Sequence, residues 1–208
     1  MQDEYEVLNT AATTVVKTDA HTAGEYAVRA YGVRLDWSAT EAATAAAAGV
    51  HAAVTDTGVS QTITTAITNP PCPRNLTATP GGTDTDVKAI QVIAYGTNIN
   101  DEDISETLPA FTVNSLTAVT GNKAFKTVTS IVIPAHDGTG ATTSIGFGDK
   151  LGLPFTLERN TLQGAYLADT LEGTAATIAK SASALESNTI DLNSALNGTA
   201  VKAYFLLP

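Results

Sequence analysis

From about residue 52 onward, apolar and polar residues alternate in short runs that Gly, Pro, Asn and Asp interrupt, the pattern of many short strands. In QTITTAI (61–67), Ile63, Thr65 and Ile67 fall on one side. RNLTATP presents Leu76 and Ala78 together, and PGGTDTD closes it as a turn. AIQVIAYGT (89–97) is apolar on both sides, as a strand covered on both faces is. ISETLPAFTV, AFKTVTSIVIP, TSIGFG, NTIDLNS and VKAYFLLP continue the series, with Phe125, Ile131 and Ile133 set against Val128 and Val132. About six to nine short strands, with a turn signal roughly every ten residues, predict an all-β fold: an antiparallel β-sandwich or barrel-like domain. No repeat of fixed period emerges, which argues against a solenoid.

Residues 1–50 follow another pattern, so the expected organisation is an N-terminal extended or helical arm at 1–50 followed by a β domain at 51–208. LNTAATTVVKT is an extra strand or extended arm, and EAATAAAAG is a good helix former with an acidic start and a glycine stop. An arm that cannot bury itself in its own domain buries itself in a neighbour, which bears on assembly. Farther on, NTLQGAYLADTLEG (160–173) is compatible with a helix or a loop, and SASALES is too short to assign.

Composition sharpens this picture. Only 15% of the 208 residues are charged, and the surface is expected to be built from hydroxyls and methyls, with threonine favouring pleated strands. The net charge of −10, with eleven basic residues scattered along the chain, opposes attraction to a phosphate backbone, so nucleic acid is not an expected partner. No apolar run is long enough to span a bilayer, so a membrane is not expected either. The acidic start MQDEYEVLNT lacks the basic and then apolar pattern of a secretion signal, giving an expectation of synthesis and assembly in a host cytoplasm. The one cysteine, Cys72, has no intramolecular partner and no neighbouring histidine to make it a thiolate.

Candidate chemistry is sparse. The glycine-rich stretch PAHDGTGATTSIGFGDKLGLP (134–154) surrounds Lys150, but Leu151 stands where a phosphate-binding loop needs a hydroxyl and no helix follows. HDGTGAT reads instead as a hairpin connection. His136 and Asp137 are adjacent on an extended segment and point to opposite sides, so they do not form the base and orienter of a triad. His21 and His51 stand at no metal-binding spacing. NINDEDISE gathers Asp101, Glu102, Asp103 and Glu106; Asp101, Asp103 and Glu106 are the candidate metal-ligating carboxylates, but the glycine and terminal glutamate of a calcium loop are missing. An acidic hairpin tip that discourages edge pairing is the expected reading. No catalytic residues and no cofactor are expected.

Several longer phrases carry a resemblance: NP-x-x-PRN-x-T-x-T-x-GGT from Asn69, GTNI from Gly96 followed by I-x-ET, KAFKTVTSI from Lys123, GFGDKLGLP from Gly146, and ESNTIDLNSALNGT from Glu186. Over roughly residues 50–208 the chain resembles small virion structural proteins of tailed bacteriophages, most of all capsid decoration, or cement, proteins. The resemblance implies a non-enzymatic protein carried in many copies on the virion surface, bound to the major capsid protein and to itself as a homo-oligomer, such as a trimer, and stabilising the shell by bridging its subunits. A component of the tail tube, baseplate or fibre attachment is the alternative within the virion. A carbohydrate-binding or hydrolytic host-recognition module is the alternative outside this class, disfavoured by an aromatic content of 6%.

Overall fold

The computed structural model describes residues 13–17 and 27–207, with 13–17 and 27–30 described by backbone alone. The acidic start and His21 lie outside the described residues. Fifteen strands follow in chain order: β1 (Thr13–Lys17), β2 (Ala27–Trp37), β3 (Ala46–Thr55), β4 (Gln61–Ile63), β5 (Arg74–Gly82), β6 (Ile93–Thr97), β7 (Asp103–Thr107), β8 (Val119–Phe125), β9 (Thr127–Ile133), β10 (Ala141–Gly152), β11 (Leu162–Leu167), β12 (Thr170–Leu171), β13 (Thr177–Ala179), β14 (Thr189–Asp191) and β15 (Val201–Leu207). The described helical residues are two 3-10 turns, Asp84–Asp86 and Leu185–Ser187. The fold is all-β, and its three sheets are antiparallel.

The first sheet runs β1-β2-β15-β11-β12, the second β13-β14-β10-β5-β8 with β3 also on β10, and the third β4-β9-β6-β7. β10 organises the molecule. Its first half lies between β5 and β3, where Ile145 and Phe147 join Val50, Leu76, Val92, Phe125 and Ile131 in one core. Its register on β5 then shifts between Phe147 and Leu151, and its end pairs with β14. Leu151 and Leu153 thereby enter a second core with Trp37, Ile190, Leu196 and Phe205. One strand bent by a bulge thus serves two cores.

Several expectations are corrected. The helix expected at EAATAAAAG is a turn followed by the start of β3. Alanine's helix preference is a weak prior, and here small side chains are what the sheet needs: a Cβ on Gly49 would lie 2.5 Å from the Phe147 ring. The boundary at residue 50 falls inside β3, and β2 pairs with β15 along Tyr31–Trp37, so residues from 27 onward belong to the sheets rather than to a separate arm. The 160–173 segment is the β11–β12 hairpin, turned by Ala168 and Asp169, both at positive φ (49° and 63°), as a two-residue primed turn requires. HDGTGAT is not a hairpin: β9 and β10 lie in different sheets, and the segment passes between them. In QTITTAI only Gln61–Ile63 is strand, although Ile63 and Ile67 both pack on the first core. Val128 faces the same core as Ile131 and Ile133 because Tyr95 pairs with Ser130 while Gly96 pairs with Val128, leaving Thr129 as the extra residue of a bulge.

Candidate functional site

The phrases from Asn69, Gly146 and Glu186 meet at β10, and the first of them also reaches β9. Asn69 Oδ1 accepts from Val128 N at 2.9 Å, and Pro73 O accepts from Gly152 N at 2.8 Å. Arg74 heads β5 and is completely buried. Its Nη1 donates to Ala43 O at 2.5 Å, its Nη2 to Asp149 Oδ1 at 3.3 Å, and its guanidinium lies 4.7 Å over the Phe147 ring. Burial lowers its pKa, against the charge of Asp149. Asn75 Oδ1 accepts from Lys150 N at 3.0 Å and its Nδ2 donates to Gly121 O at 3.3 Å, while a Cβ on Gly148 would lie 2.6 Å from that amide nitrogen. The ESNT phrase closes the arrangement: Asn188 Oδ1 accepts from Leu157 N and Ser181 N, both at 2.9 Å, its Nδ2 donates to Ala184 O at 2.8 Å, and its carbonyl accepts from Leu153 N at 2.9 Å. Apart from Arg74 Nε, which is buried without a partner, these polar groups are taken up in joining strands and loops.

The glycine-rich segment does wrap an anion, but the anion is its own Asp86. Gly140 N donates to Asp86 Oδ2 at 3.0 Å, and a Cβ on Gly138 or Gly140 would fall 2.4 Å from that carboxylate. Lys150 points elsewhere, to Asn122 and Gly121. His136 and Asp137 separate as expected: Asp137 is exposed and pairs with Lys88 at 3.1 Å, whereas His136 is buried and stacked on Phe111. Lys88 N donates to His136 Nδ1 at 3.2 Å, which places the ring proton on Nε2, 3.1 Å from Thr143 Oγ1, and His136 N donates to Asp56 Oδ1 at 3.2 Å. It is a satisfied core histidine.

Burial holds that imidazole below its ordinary value of 6.5, against the opposing charge of Asp56. A lowered folded value means that His136 contributes stability above the unfolded value and loses it as pH falls through the folded one. Acidification from about pH 7 to pH 5 should therefore lower the melting temperature of the native chain more than that of His136→Gln. Equal losses in thermal melts of the two proteins would refute the role given to this ring.

The candidate metal-ligating carboxylates do not come together. Asp101 sits at the tip of the β6–β7 hairpin at φ 63° and pairs with Lys126 at 2.7 Å, and Asp103 is exposed. The tip is shaped by buried Asn98, whose Oδ1 accepts from Asn100 N at 2.9 Å and Glu102 N at 3.1 Å. Glu106 turns away to the next sheet, where Oε1 accepts from Asn122 N at 2.6 Å and Lys123 N at 3.3 Å; burial raises its pKa, partly offset by those bonds. It ties the edge of β7 to the edge of β8 by a side chain instead of a strand ladder. No group of three or more His, Cys, Asp or Glu placed to hold a metal occurs among the described residues. Burial also pushes the Cys72 thiol up to about 12, which makes it inert.

A shallow groove of about 430 Å³ lies between the β6–β7 tip and the loops after β10 and β13, with Pro154, Phe155 and Leu185 as apolar lining and Asn100, Glu102 and Glu186 as polar lining. Sequence reasoning missed the buried roles of Arg74, Asn98, Glu106 and Asn188. For Arg74 a signal existed: it shares strand parity with Leu76 and Ala78, so the alternation that placed them inward placed it inward too.

No helix of the described residues is long and apolar enough to cross a membrane. Comparison with protein-family models, with curated proteins and with solved structures finds no match.

Proposed function

We propose that this protein is a structural component of a tailed-phage particle, decorating the capsid by contact with the major capsid protein and with further copies of itself. The phrases around Asn69, Gly96, Lys123, Gly146 and Glu186 support the family, and the charge of −10 suits a surface kept apart from packaged nucleic acid. The observation that carries the assembly reading is the β1–β2 ribbon. Pairing of β2 with β15 ends at Tyr31–Leu207, while pairing with β1 continues from Tyr31 to Ala27, so among the described residues 27–30 have β1 as their sole partner. Tyr31, on the same side of β2 as buried Trp37, is 46% exposed. A two-stranded ribbon is marginal alone in water and gains stability by burying itself against a neighbour. Many such contacts over a shell act together by avidity.

Electron cryomicroscopy of particles carrying this chain is expected to show copies spread over the icosahedral shell, several meeting at each junction of capsid subunits. A chain lacking residues 1–26 keeps all of β2, so it is expected to fold and yet fail to bind particles. Undiminished decoration by the truncated chain removes the ribbon from the mechanism, and density confined to the tail replaces decoration with a tail role.

A further inference from the structure

β8 and β10 flank β5 in the second sheet, and one pair of side chains spans the gap between them. Lys150 Nζ reaches Asn122 Oδ1 at 2.7 Å and Gly121 O at 3.3 Å. A hydrogen bond of that length leaves the amine nitrogen about 3.5 Å from the carboxamide carbon, a near-attack separation. Glu106 arrives at the same place from β7: its Oε1 lies 2.6 Å from Asn122 N, and its Oε2 lies 2.5 Å from where a Cβ on Gly121 would be. Asp191, on β14 beside β10, also feels the charge of Lys150.

We propose that Lys150 and Asn122 are the partners of an intramolecular isopeptide bond, formed with the Glu106 carboxyl as proton carrier. The free amine of Lys150 attacks Cγ of Asn122, the Nζ–Cγ bond forms and the Cγ–Nδ2 bond breaks. Nδ2 leaves as ammonia, taking up the proton that Nζ gives away, with Glu106 relaying it. Nothing is oxidised or reduced, and ammonia is the sole by-product. Burial raises the pKa of Glu106 and of Asp191, with the charge of Lys150 opposing the shift in both, so a carboxyl near this pair holds a proton at higher pH than an exposed one does. The product would tie β8 to β10 across β5 and close a loop between residues 28 apart. The inference stands on this geometry alone and is independent of the virion reading.

The test is tandem mass spectrometry of a tryptic digest of the full chain after ageing at alkaline pH. The expected result is a branched peptide joining residues 122 and 150, with no cleavage after Lys150. A succinimide at Asn197–Gly198 also loses ammonia, so the branched peptide decides and the intact mass does not. Asn122→Ala, at an exposed position, and Lys150→Arg are each expected to abolish the branch while circular dichroism shows native β structure. Glu106→Gln is expected to slow branching by roughly a hundredfold, a typical contribution of a positioned proton carrier. Aged native chain that yields only linear peptides overturns the bond; branching at the native rate in Glu106→Gln overturns the role of that carboxyl.

Discussion

Arg74→Ala is expected to lower folding stability by about 4 kcal/mol, the range of large-to-small changes at fully buried sites. The side chain lies where the two cores adjoin, over the ring of Phe147 of one and bonded to the carbonyl of Ala43, next to Ala42 of the other. Truncation leaves a cavity, removes the packing on the ring and strands Ala43 O without its donor. Arg74→Lys should recover little, because a lysine cannot lie over the ring while its head forks to both Ala43 O and Asp149. Asp149→Asn should cost only about 1 kcal/mol, since that carboxylate is partly exposed and water replaces the ion pair. Urea denaturation of the three variants measures the ranking. A loss for Arg74→Ala no larger than that for Asp149→Asn would show that the guanidinium is not what joins the cores.

Gly146→Ala is expected to cost about 3 kcal/mol or more, at the upper end of overpacking effects. A Cβ at this position would lie 1.9 Å from Ala46 O and 2.7 Å from the carbonyl carbon of Ala47, both backbone atoms of β3 that cannot rotate aside as a side-chain tip would. The only relief is for β3 to move off β10, which breaks the ladder from Thr142–Thr55 to Phe147–Ala46. Gly173→Ala is the control, because nothing lies within 4 Å of its added Cβ. Thermal melts that separate the two variants by less than a few degrees would contradict so close an approach of β3.

The strands were legible wherever one face met a core and the other did not. Leu76 and Ala78, and Ile131 and Ile133, sit inward as their alternation requires, and the acidic hairpin tip at 98–102 stands where Asn and Asp punctuate the pattern. Elements that depend on a distant partner were not legible. The alanine run becomes strand because Gly146 and Phe147, a hundred positions later, leave room only for small residues. The β11–β12 turn escaped notice because Ala168 occupies a left-handed conformation usually left to Gly or Asn. The site was legible as phrases and illegible as roles. Asn75 and Asn188 look like turn residues, and only the fold reveals that each is a hub bonded to backbone groups far along the chain.

The pairing of β2 with β15 also sets a timetable for synthesis. The residues that zip to Leu35 emerge from the ribosome ~170 positions later, which at about 5–20 residues per second is a delay on the order of ten to thirty seconds. Throughout that interval β2 has an unsatisfied edge and an uncovered Trp37. A nascent chain in this condition is prone to pair with its neighbours on the same messenger, so cells that translate it densely should depend on holding chaperones, and silent slow codons placed between β2 and β15 should increase insoluble product without altering the mature protein.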